Sequence, residues 1–169
     1  HADIRKFDFT VYKKERVDLV AGGVPCQPFS IGGKHQGMDD ERDMFPQFVR
    51  AVRTLQPRAF IIENVKGLMR RQFQNYFQYI TLQLSFPEVL PKKGEDWVKH
   101  LERLEQHQTK GTEKGLRYNV IHRLLNAADY GVPQRRERVF IVGFRHDTGL
   151  EFHFPEATHS RVALERAMA

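Results

Sequence analysis

Four segments of the chain have the apolar density of buried strands. Residues 17–23, 59–65 and 138–144 are nearly continuous apolar runs, a pattern typical of strands covered on both faces of a sheet. Residues 118–125 alternate in part between apolar and polar side chains, which predicts a strand nearer a sheet edge. These runs together predict a sheet with a hydrophobic interior.

Three amphipathic helices are predicted between the strands. The first follows Asp43, which can cap its start, and repeats apolar side chains every three or four residues. Its apolar face holds Phe45, Phe48, Val49, Val52 and Leu55, and its polar face holds Gln47, Arg50, Arg53 and Thr54. A second helix is predicted within residues 73–84 and a shorter third within 97–104, in a surface excursion over 85–117. The order of strands and helices predicts an α/β fold with a mostly parallel sheet.

The composition limits the class of protein. Of 169 residues, 40% are hydrophobic, which is enough for the core of one domain or a large part of one. No apolar run approaches the ~20 residues of a membrane span. A single cysteine cannot form an internal disulfide, and no cysteine–histidine cluster has zinc spacing. The net charge of +6 is compatible with a polyanionic partner, although many basic domains bind none.

The only cysteine lies on a stiff loop beyond a predicted strand. Cys26 stands between Pro25 and Pro28, just after the run 17–23, and the two prolines restrict the backbone around it. Ligands of open α/β sheets bind beyond the carboxyl ends of the strands. A lone cysteine is most often a small buried apolar residue, but its place on this loop favours a positioned, reactive thiol.

A carboxylate ends the second predicted strand. Glu63 follows the apolar residues 59–62, where a charge is costly unless it is paired or reaches an open cleft. Because parallel neighbours end on the same side of a sheet, we expect Glu63 near Cys26, where it could exchange a proton with a substrate. The sequence is equally compatible with a structural carboxylate that caps amides of the next loop.

Two arginines precede the last predicted strand. Arg136 and Arg138 point the same way on an extended chain, and paired guanidiniums can bind a phosphate or a base oxygen. A solvated charged run is the common alternative. A thiol, a carboxylate and paired arginines suit nucleophilic attack on an electron-poor ring in a polyanion. A thiol hydrolase is less favoured, because nothing places a base beside Cys26.

Four blocks in order resemble DNA (cytosine-5)-methyltransferases of bacterial restriction–modification systems. They are Pro25-Cys26-Gln27-Pro28-Phe29-Ser30, Arg42-Asp43-Met44-Phe45, Glu63-Asn64-Val65 and Gln134-Arg135-Arg136-Glu137-Arg138. The pair Asp3-Ile4 resembles residues that contact the cofactor's adenine ring in this family. The resemblance implies a partial Rossmann-like fold that uses S-adenosylmethionine, with a mostly parallel sheet and a terminal antiparallel strand.

The resemblance also implies a role for each matching residue. Catalytic roles fall to Cys26, Glu63, Arg136 and Arg138, cofactor contacts to Asp3, Ile4, Pro25 and Met44, and substrate contacts to Gln27, Ser30, Lys34 and Asn64. Cys26 would attack carbon 6 of a cytosine flipped out of double-stranded DNA, and Glu63 would bind or protonate nitrogen 3. Arg138 would hold the base oxygen, and Arg136 would support the loop and a phosphate. We expect no metal and no membrane partner, and a cytoplasmic bacterial enzyme that is monomeric at full length.

Parts of the family pattern have no counterpart in these residues. The glycine-rich cofactor block and the target recognition domain are both missing. We therefore predict a partial catalytic domain over residues 1–150, with an insertion at about 85–117, in which the N-terminal cofactor half of the sheet is missing. Residues 151–169 would begin the connection to a target recognition domain. On this interpretation the chain alone does not methylate DNA.

Two other functions remain compatible with the sequence. A transfer RNA cytosine-5 methyltransferase shares the nucleophile loop, and a non-catalytic DNA-binding fragment could keep the fold. An assay on both DNA and transfer RNA would decide the first alternative. The second predicts that the complete protein forms no covalent adduct with DNA that carries 5-fluorocytosine.

Overall fold

The sheet contains four strands, whose order in space differs from their order along the chain. The computed structural model describes residues 3–25, 43–111 and 115–159. There, β1 (Leu19–Gly22), β2 (Ala59–Val65), β3 (Tyr118–Asn126) and β4 (Glu137–Arg145) lie in the order β1-β2-β4-β3. β1 pairs in parallel with β2, and β4 pairs antiparallel with β2 and β3. The predicted α/β fold with one antiparallel strand is confirmed.

The antiparallel strand lies inside the sheet. β4 is the last strand along the chain, but it pairs on both sides, so Val142 faces Ile61 of β2 and Ile121 of β3. Residues 127–136 connect β3 to β4, and this connection is too short for the crossover of a dozen or more residues that parallel strands need. The length of the connection therefore imposes the antiparallel direction, while β1, β2 and β3 point the same way.

Two helices cover one face of the sheet. α1 (Phe45–Leu55) begins as predicted, because Asp43 Oδ1 accepts a hydrogen bond from the Phe45 amide at 3.0 Å. α2 (Gln74–Ser85) lies beside it. Both helices contribute to the main core, which includes Phe45, Phe48, Val49, Val52, Phe60, Ile62, Ile80, Leu84, Val139 and Ile141. In the part of the chain that the structure describes, no helix is long and apolar enough to cross a bilayer.

The opposite face of the sheet is only partly covered. Leu19 of β1 is 55% exposed, and Ile61 of β2 is half-buried. Over β4 this face meets the extended segment 150–159, where the rings of Phe152 and Phe144 stack with centroids 5.5 Å apart. The prediction of strands covered on both faces is therefore wrong for β1 in the described residues, because α1 and α2 share one face.

The excursion after α2 builds a small core of its own. α3 (Trp97–Lys110) is longer than predicted, begins at its cap Asp96 and packs on α2 through Leu82, Leu101 and Leu104. His100 is fully buried there, with the Tyr79 hydroxyl at 2.8 Å from Nδ1 and the Val89 carbonyl at 2.8 Å from Nε2. The excursion is thus attached to the core by a packed helix.

Candidate active site

Three charged side chains meet on the sheet face opposite α1 and α2. Glu63 is on this face because β2 alternates, with Ile62 and Asn64 buried on the other side. The Arg138 Nε lies 2.9 Å from Glu63 Oε1, and an Arg136 terminal nitrogen lies 3.8 Å from the same oxygen. The register pairs Val65 with Arg138, which brings the arginine diagonally across from Glu63. Glu63, Arg136 and Arg138, which were selected separately from the sequence, therefore lie together in the structure.

Glu63 is a charged residue directly after an apolar run, where a charge is costly unless it is paired or reaches an open cleft. Its side chain is paired with two guanidiniums, and 38% of it is exposed, so it also reaches open space. Arg138 is less exposed, at 25%, and a second nitrogen of its guanidinium donates to the Glu137 carbonyl at 2.8 Å. A fixed guanidinium beside a carboxylate is suited to hold a planar polar ligand.

A cavity of about 330 Å³ opens beside these charges. This volume is near the lower end of the ~300–1,000 Å³ typical of small-molecule sites. Glu63, Arg136 and Arg138 supply its charged groups. Its remaining lining consists of Leu125, Ala127, Tyr130, Phe140 and Pro155. Apolar walls with few convergent polar groups fit a flat, partly polar ring better than a highly charged ligand.

One wall of the cavity depends on a contact that the sequence did not reveal. The Tyr130 hydroxyl donates to the Pro155 carbonyl at 3.0 Å. The amides of Thr158 and His159 also donate to the Asp129 carbonyl, each at 3.0 Å. Segment 150–159 is therefore attached to the chain between β3 and β4, and it completes a site whose charged residues lie elsewhere.

The chain that leaves β1 passes beside Glu63. A Cβ built at Gly23 would lie 3.8 Å from Glu63 Oε2. The parallel register, in which Gly22 faces Ile62, explains this proximity. The expectation that the ends of β1 and β2 adjoin is therefore confirmed up to Val24. Cys26, Gln27, Ser30 and Lys34 lie outside the described residues.

Asn64 holds the chain that leads toward Cys26. Its side chain is 4% exposed, and Nδ2 donates to the Val24 carbonyl at 3.0 Å. Its Oδ1 accepts from the Val65 amide at 2.8 Å. The resemblance implied a substrate contact, but strand alternation directs Asn64 away from the cavity that Glu63 lines, and both ends of its amide bind the backbone. The structure thus gives the Asn64 amide two backbone partners, and its contact with substrate stays a prediction.

Asn126 supports Arg136 in a similar way. It is 7% exposed at the end of β3, and its Oδ1 accepts from the Arg136 amide at 3.0 Å and the Ala128 amide at 3.3 Å. The Ala127 amide in turn donates to the Arg136 carbonyl at 3.0 Å. Sequence reasoning did not select Asn126, although a polar residue directly after the predicted strand 118–125 is a usable signal, since buried amides need partners.

The residues predicted to contact the cofactor fit an adenine ring chemically. Ile4 is 41% exposed and Pro25 is also exposed, so both offer apolar surface. Hydrogen bonds from the Arg5 side chain and amide lower the pKa of Asp3 to about 2, so its carboxylate is an ionised acceptor for an amino group. Met44 is half-buried against the core at the start of α1. Among the described residues, no cluster of three or more histidine, cysteine or acidic side chains could hold a metal ion.

Comparisons with known proteins give a consistent result. The family model for C-5 cytosine-specific DNA methylases matches residues 1–86 and 96–167. The Type II methyltransferase M.AquIA of Picosynechococcus sp. is 42% identical over 144 residues, which cover 85% of this chain and 49% of that protein. The Type II methyltransferase M.NgoMIV of Neisseria gonorrhoeae is 38% identical over 154 residues, or 91% and 39% of the two chains.

The solved structures agree on the fold. A crystal structure described as a DNA modification methyltransferase encoded within an E. coli prophage superimposes with a TM-score of 0.56. It is 23% identical, and the match covers 90% of this chain and 35% of that one. The chain thus spans about half, or less, of the length of these relatives.

Proposed function

Because this chain belongs to the C-5 cytosine-specific DNA methylase family, as its motifs predicted, we propose that it forms the catalytic part of a DNA (cytosine-5)-methyltransferase of the restriction–modification type. The observation that carries the proposal is the Glu63–Arg138 pair, 2.9 Å apart at an apolar cavity. This pair lies beside the chain that runs from β1 to Cys26. The substrate is a cytosine in double-stranded DNA.

The proposed reaction begins at Cys26. Its thiolate sulfur bonds to carbon 6 of the cytosine, and the displaced ring electrons move toward nitrogen 3. Nitrogen 3 takes a proton from the Glu63 carboxyl group, which has first taken that proton up from water. S-Adenosylmethionine, when bound, would supply the methyl group to carbon 5 and would leave as S-adenosylhomocysteine. The nitrogen 3 proton then returns to Glu63. Finally, the carbon 5 proton leaves to water, and its electron pair re-forms the ring double bond as the Cys26 thiolate departs.

The arginines hold the base during these steps. A guanidinium has five N–H donors, and the bonds of Arg138 to Glu63 and to the Glu137 carbonyl use only two of them. We assign another of these donors to the base oxygen. Arg136, which is 50% exposed, is available to a phosphate of the DNA backbone. Both assignments follow the family resemblance and are compatible with the cavity geometry.

The remaining assignments also follow from family membership. A base inside a duplex is out of reach, so the cytosine must be flipped out at a cost of a few kcal/mol. Gln27, Ser30 and Lys34 would contact the DNA as the loop that bears Cys26 closes over it. Asp3, Ile4, Pro25 and Met44 would hold the cofactor.

The domain organisation is part of the proposal. We assign residues 1–150 to the catalytic domain, with the insertion at about 85–117, and residues 151–169 to the connection toward a target recognition domain. The chain spans at most about half of its relatives, so these residues alone are proposed not to methylate DNA. The complete protein is proposed to be a monomer.

Covalent trapping tests the proposed function. DNA with 5-fluorocytosine at the target blocks the final proton loss, so the complete protein with S-adenosylmethionine should form an adduct that survives denaturing electrophoresis. Cys26→Ser should form none, whereas Glu63→Gln should form it at least ~100-fold more slowly, as expected when proton transfer is lost. A wild-type protein that gives no adduct on DNA would refute the proposal, and adducts on transfer RNA alone would favour the RNA enzyme.

A further inference from the structure

Arg50 lies on the face of α1 that the sequence pattern leaves polar, but its guanidinium binds the chain that precedes β1. One terminal nitrogen donates to the Phe7 carbonyl at 2.7 Å, and the other donates to the Ile4 carbonyl at 2.5 Å. Its central carbon lies 4.6 Å from the ring centroid of Phe9. The Nε donates to Gln47 on the same helix at 2.9 Å. Arg50 therefore connects α1 to a distant part of the chain, since Ile4 precedes it by 46 residues in the sequence.

The segment held by Arg50 gets its local shape from short-range bonds. It consists of two 3₁₀ helices, Ile4–Lys6 and Phe9–Glu15. Asp3 caps the first and Asp8 caps the second, each through an amide two residues along the chain. Such bonds define the shape of a turn but not its place in the fold, and short 3₁₀ helices have weak hydrogen-bond geometry. Its place is set by long-range contacts, of which the Arg50 bonds and the buried ring of Phe9 are two.

α1 connects two parts of the proposed cofactor site, which are Met44 and the Asp3–Ile4 pair. Met44 lies directly before α1, and Arg50 lies ~9 Å farther along the helix axis at 1.5 Å per residue. Arg50 binds the carbonyl of Ile4 itself, which is the residue next to Asp3. A change at Arg50 would therefore move Asp3 and Ile4 relative to Met44 and leave the cavity at Glu63 in place.

We propose that Arg50 is a positioning residue for S-adenosylmethionine, because it fixes the Asp3–Ile4 pair relative to α1. The inference rests on the proposed function and adds a residue that does not itself touch the cofactor. Its geometry requires arginine. Two forked N–H groups bind two separate carbonyls while the flat guanidinium lies over an aromatic ring, and a lysine ammonium cannot do both.

The test compares three variants of the complete protein. Arg50→Gln removes the fork and the charge, Arg50→Lys keeps the charge, and Arg53→Gln, one turn farther along the same helix, is the matched control. S-Adenosylmethionine binding is measured by titration calorimetry without DNA, and KM is measured for cofactor and DNA. We expect the Kd for S-adenosylmethionine to rise ~10-fold in Arg50→Gln and ~3-fold in Arg50→Lys, the size of a weakened charge-assisted hydrogen bond. KM for DNA should stay within ~2-fold of wild type in both Arg50 variants. All constants of Arg53→Gln should also stay within ~2-fold, because the half-buried Arg53 does not bind the Phe7 or Ile4 carbonyl.

Each outcome separates this inference from the proposed function. If wild-type protein binds S-adenosylmethionine and a folded Arg50→Gln variant binds it with the same Kd, the role of Arg50 is overturned. The proposed function is not affected by that result. If Arg50→Gln fails to fold, Arg50→Lys decides: weaker cofactor binding with faster amide exchange in residues 3–16 supports the role, and normal binding overturns it. Wild-type protein that binds no S-adenosylmethionine would overturn the proposed function and this inference with it.

Discussion

Asn64 connects the packing of β2 to the chemistry proposed for Cys26, and its removal gives a quantitative prediction. The side chain is 4% exposed and binds two backbone groups, the Val24 carbonyl at 3.0 Å and the Val65 amide at 2.8 Å. Asn64→Ala leaves both without this partner. An unpaired buried carbonyl costs ~1–3 kcal/mol, and the partly buried amide adds about 1 kcal/mol. We therefore expect the free energy of unfolding to fall by about 2–4 kcal/mol.

A second substitution isolates the bond to Val24. Asn64→Asp keeps the acceptor for the Val65 amide but places a carboxylate oxygen against the Val24 carbonyl. At neutral pH the two oxygens repel, and the buried charge adds a desolvation cost. At low pH the protonated acid can donate to the carbonyl, so the deficit relative to wild type should shrink. Urea unfolding at pH 7 and pH 4.5 measures both effects.

Asn64→Ala should also slow the proposed reaction in protein that remains folded. Val24 stands two residues before Cys26, and a displacement of about 1 Å can cost ~100-fold in rate. We expect Asn64→Ala to slow adduct formation with 5-fluorocytosine DNA by about that factor, under conditions where the protein remains folded. Asn119→Ala, which removes an exposed contact to His146, is the control and should change neither quantity. An Asn64→Ala protein within ~0.5 kcal/mol of wild type, or with an unchanged rate of adduct formation, would refute this reasoning.

Two further predictions concern the core and the excursion. Gly143→Ala should cost about 3 kcal/mol, at the upper end for an overpacked core, because its Cβ would lie 2.2 Å from the ring of Phe60, which is fully buried. In urea unfolding, the double variant Gly143→Ala/Phe60→Leu should recover more than half of this loss. A Gly143→Ala variant as stable as wild type would contradict the close approach of Gly143 to the Phe60 ring. For His100, burial lowers the pKa, so the neutral ring favours the folded state. Its contribution is complete above the unfolded pKa of about 6.5 and declines as the pH falls below it. Wild-type stability should therefore drop more steeply between pH 7.5 and pH 5.5 than that of His100→Gln, and parallel profiles would argue against a buried neutral histidine.

Local patterns in the sequence were sufficient for the four strands, for α1 and for the family, but not for the 3₁₀ helices before β1 or the length of α3. The apolar spacing of 45–55 reproduces α1, and the runs 59–65 and 138–144 lie within or coincide with β2 and β4. These patterns are informative because burial repeats with the period of the element itself, about 3.6 residues in a helix and 2 in a strand. The motifs around Glu63 and Arg138 likewise identify the family, because each is a short run of adjacent residues.

The sequence order also indicated that Glu63 would lie near the end of β1, since parallel neighbours end on one side of a sheet. It did not indicate that β4 would lie between β2 and β3. That position depends on which strand edges are available for pairing, and this is a property of the whole sheet. The distance of 2.9 Å between Arg138 and Glu63 follows from that pairing, across 75 residues of chain.

Residue types and their spacing by themselves determined an α/β chain with a thiol, a carboxylate and paired arginines at strand ends. Only the tertiary structure decided that Asn64 faces the interior, that Asn126 holds the Arg136 backbone, and that Arg50 binds the Ile4 and Phe7 carbonyls. The physical reason is that a polar side chain at the surface of one element looks the same in the sequence whether it meets water or a distant backbone group. The difference arises when elements pack and buried backbone groups must find partners.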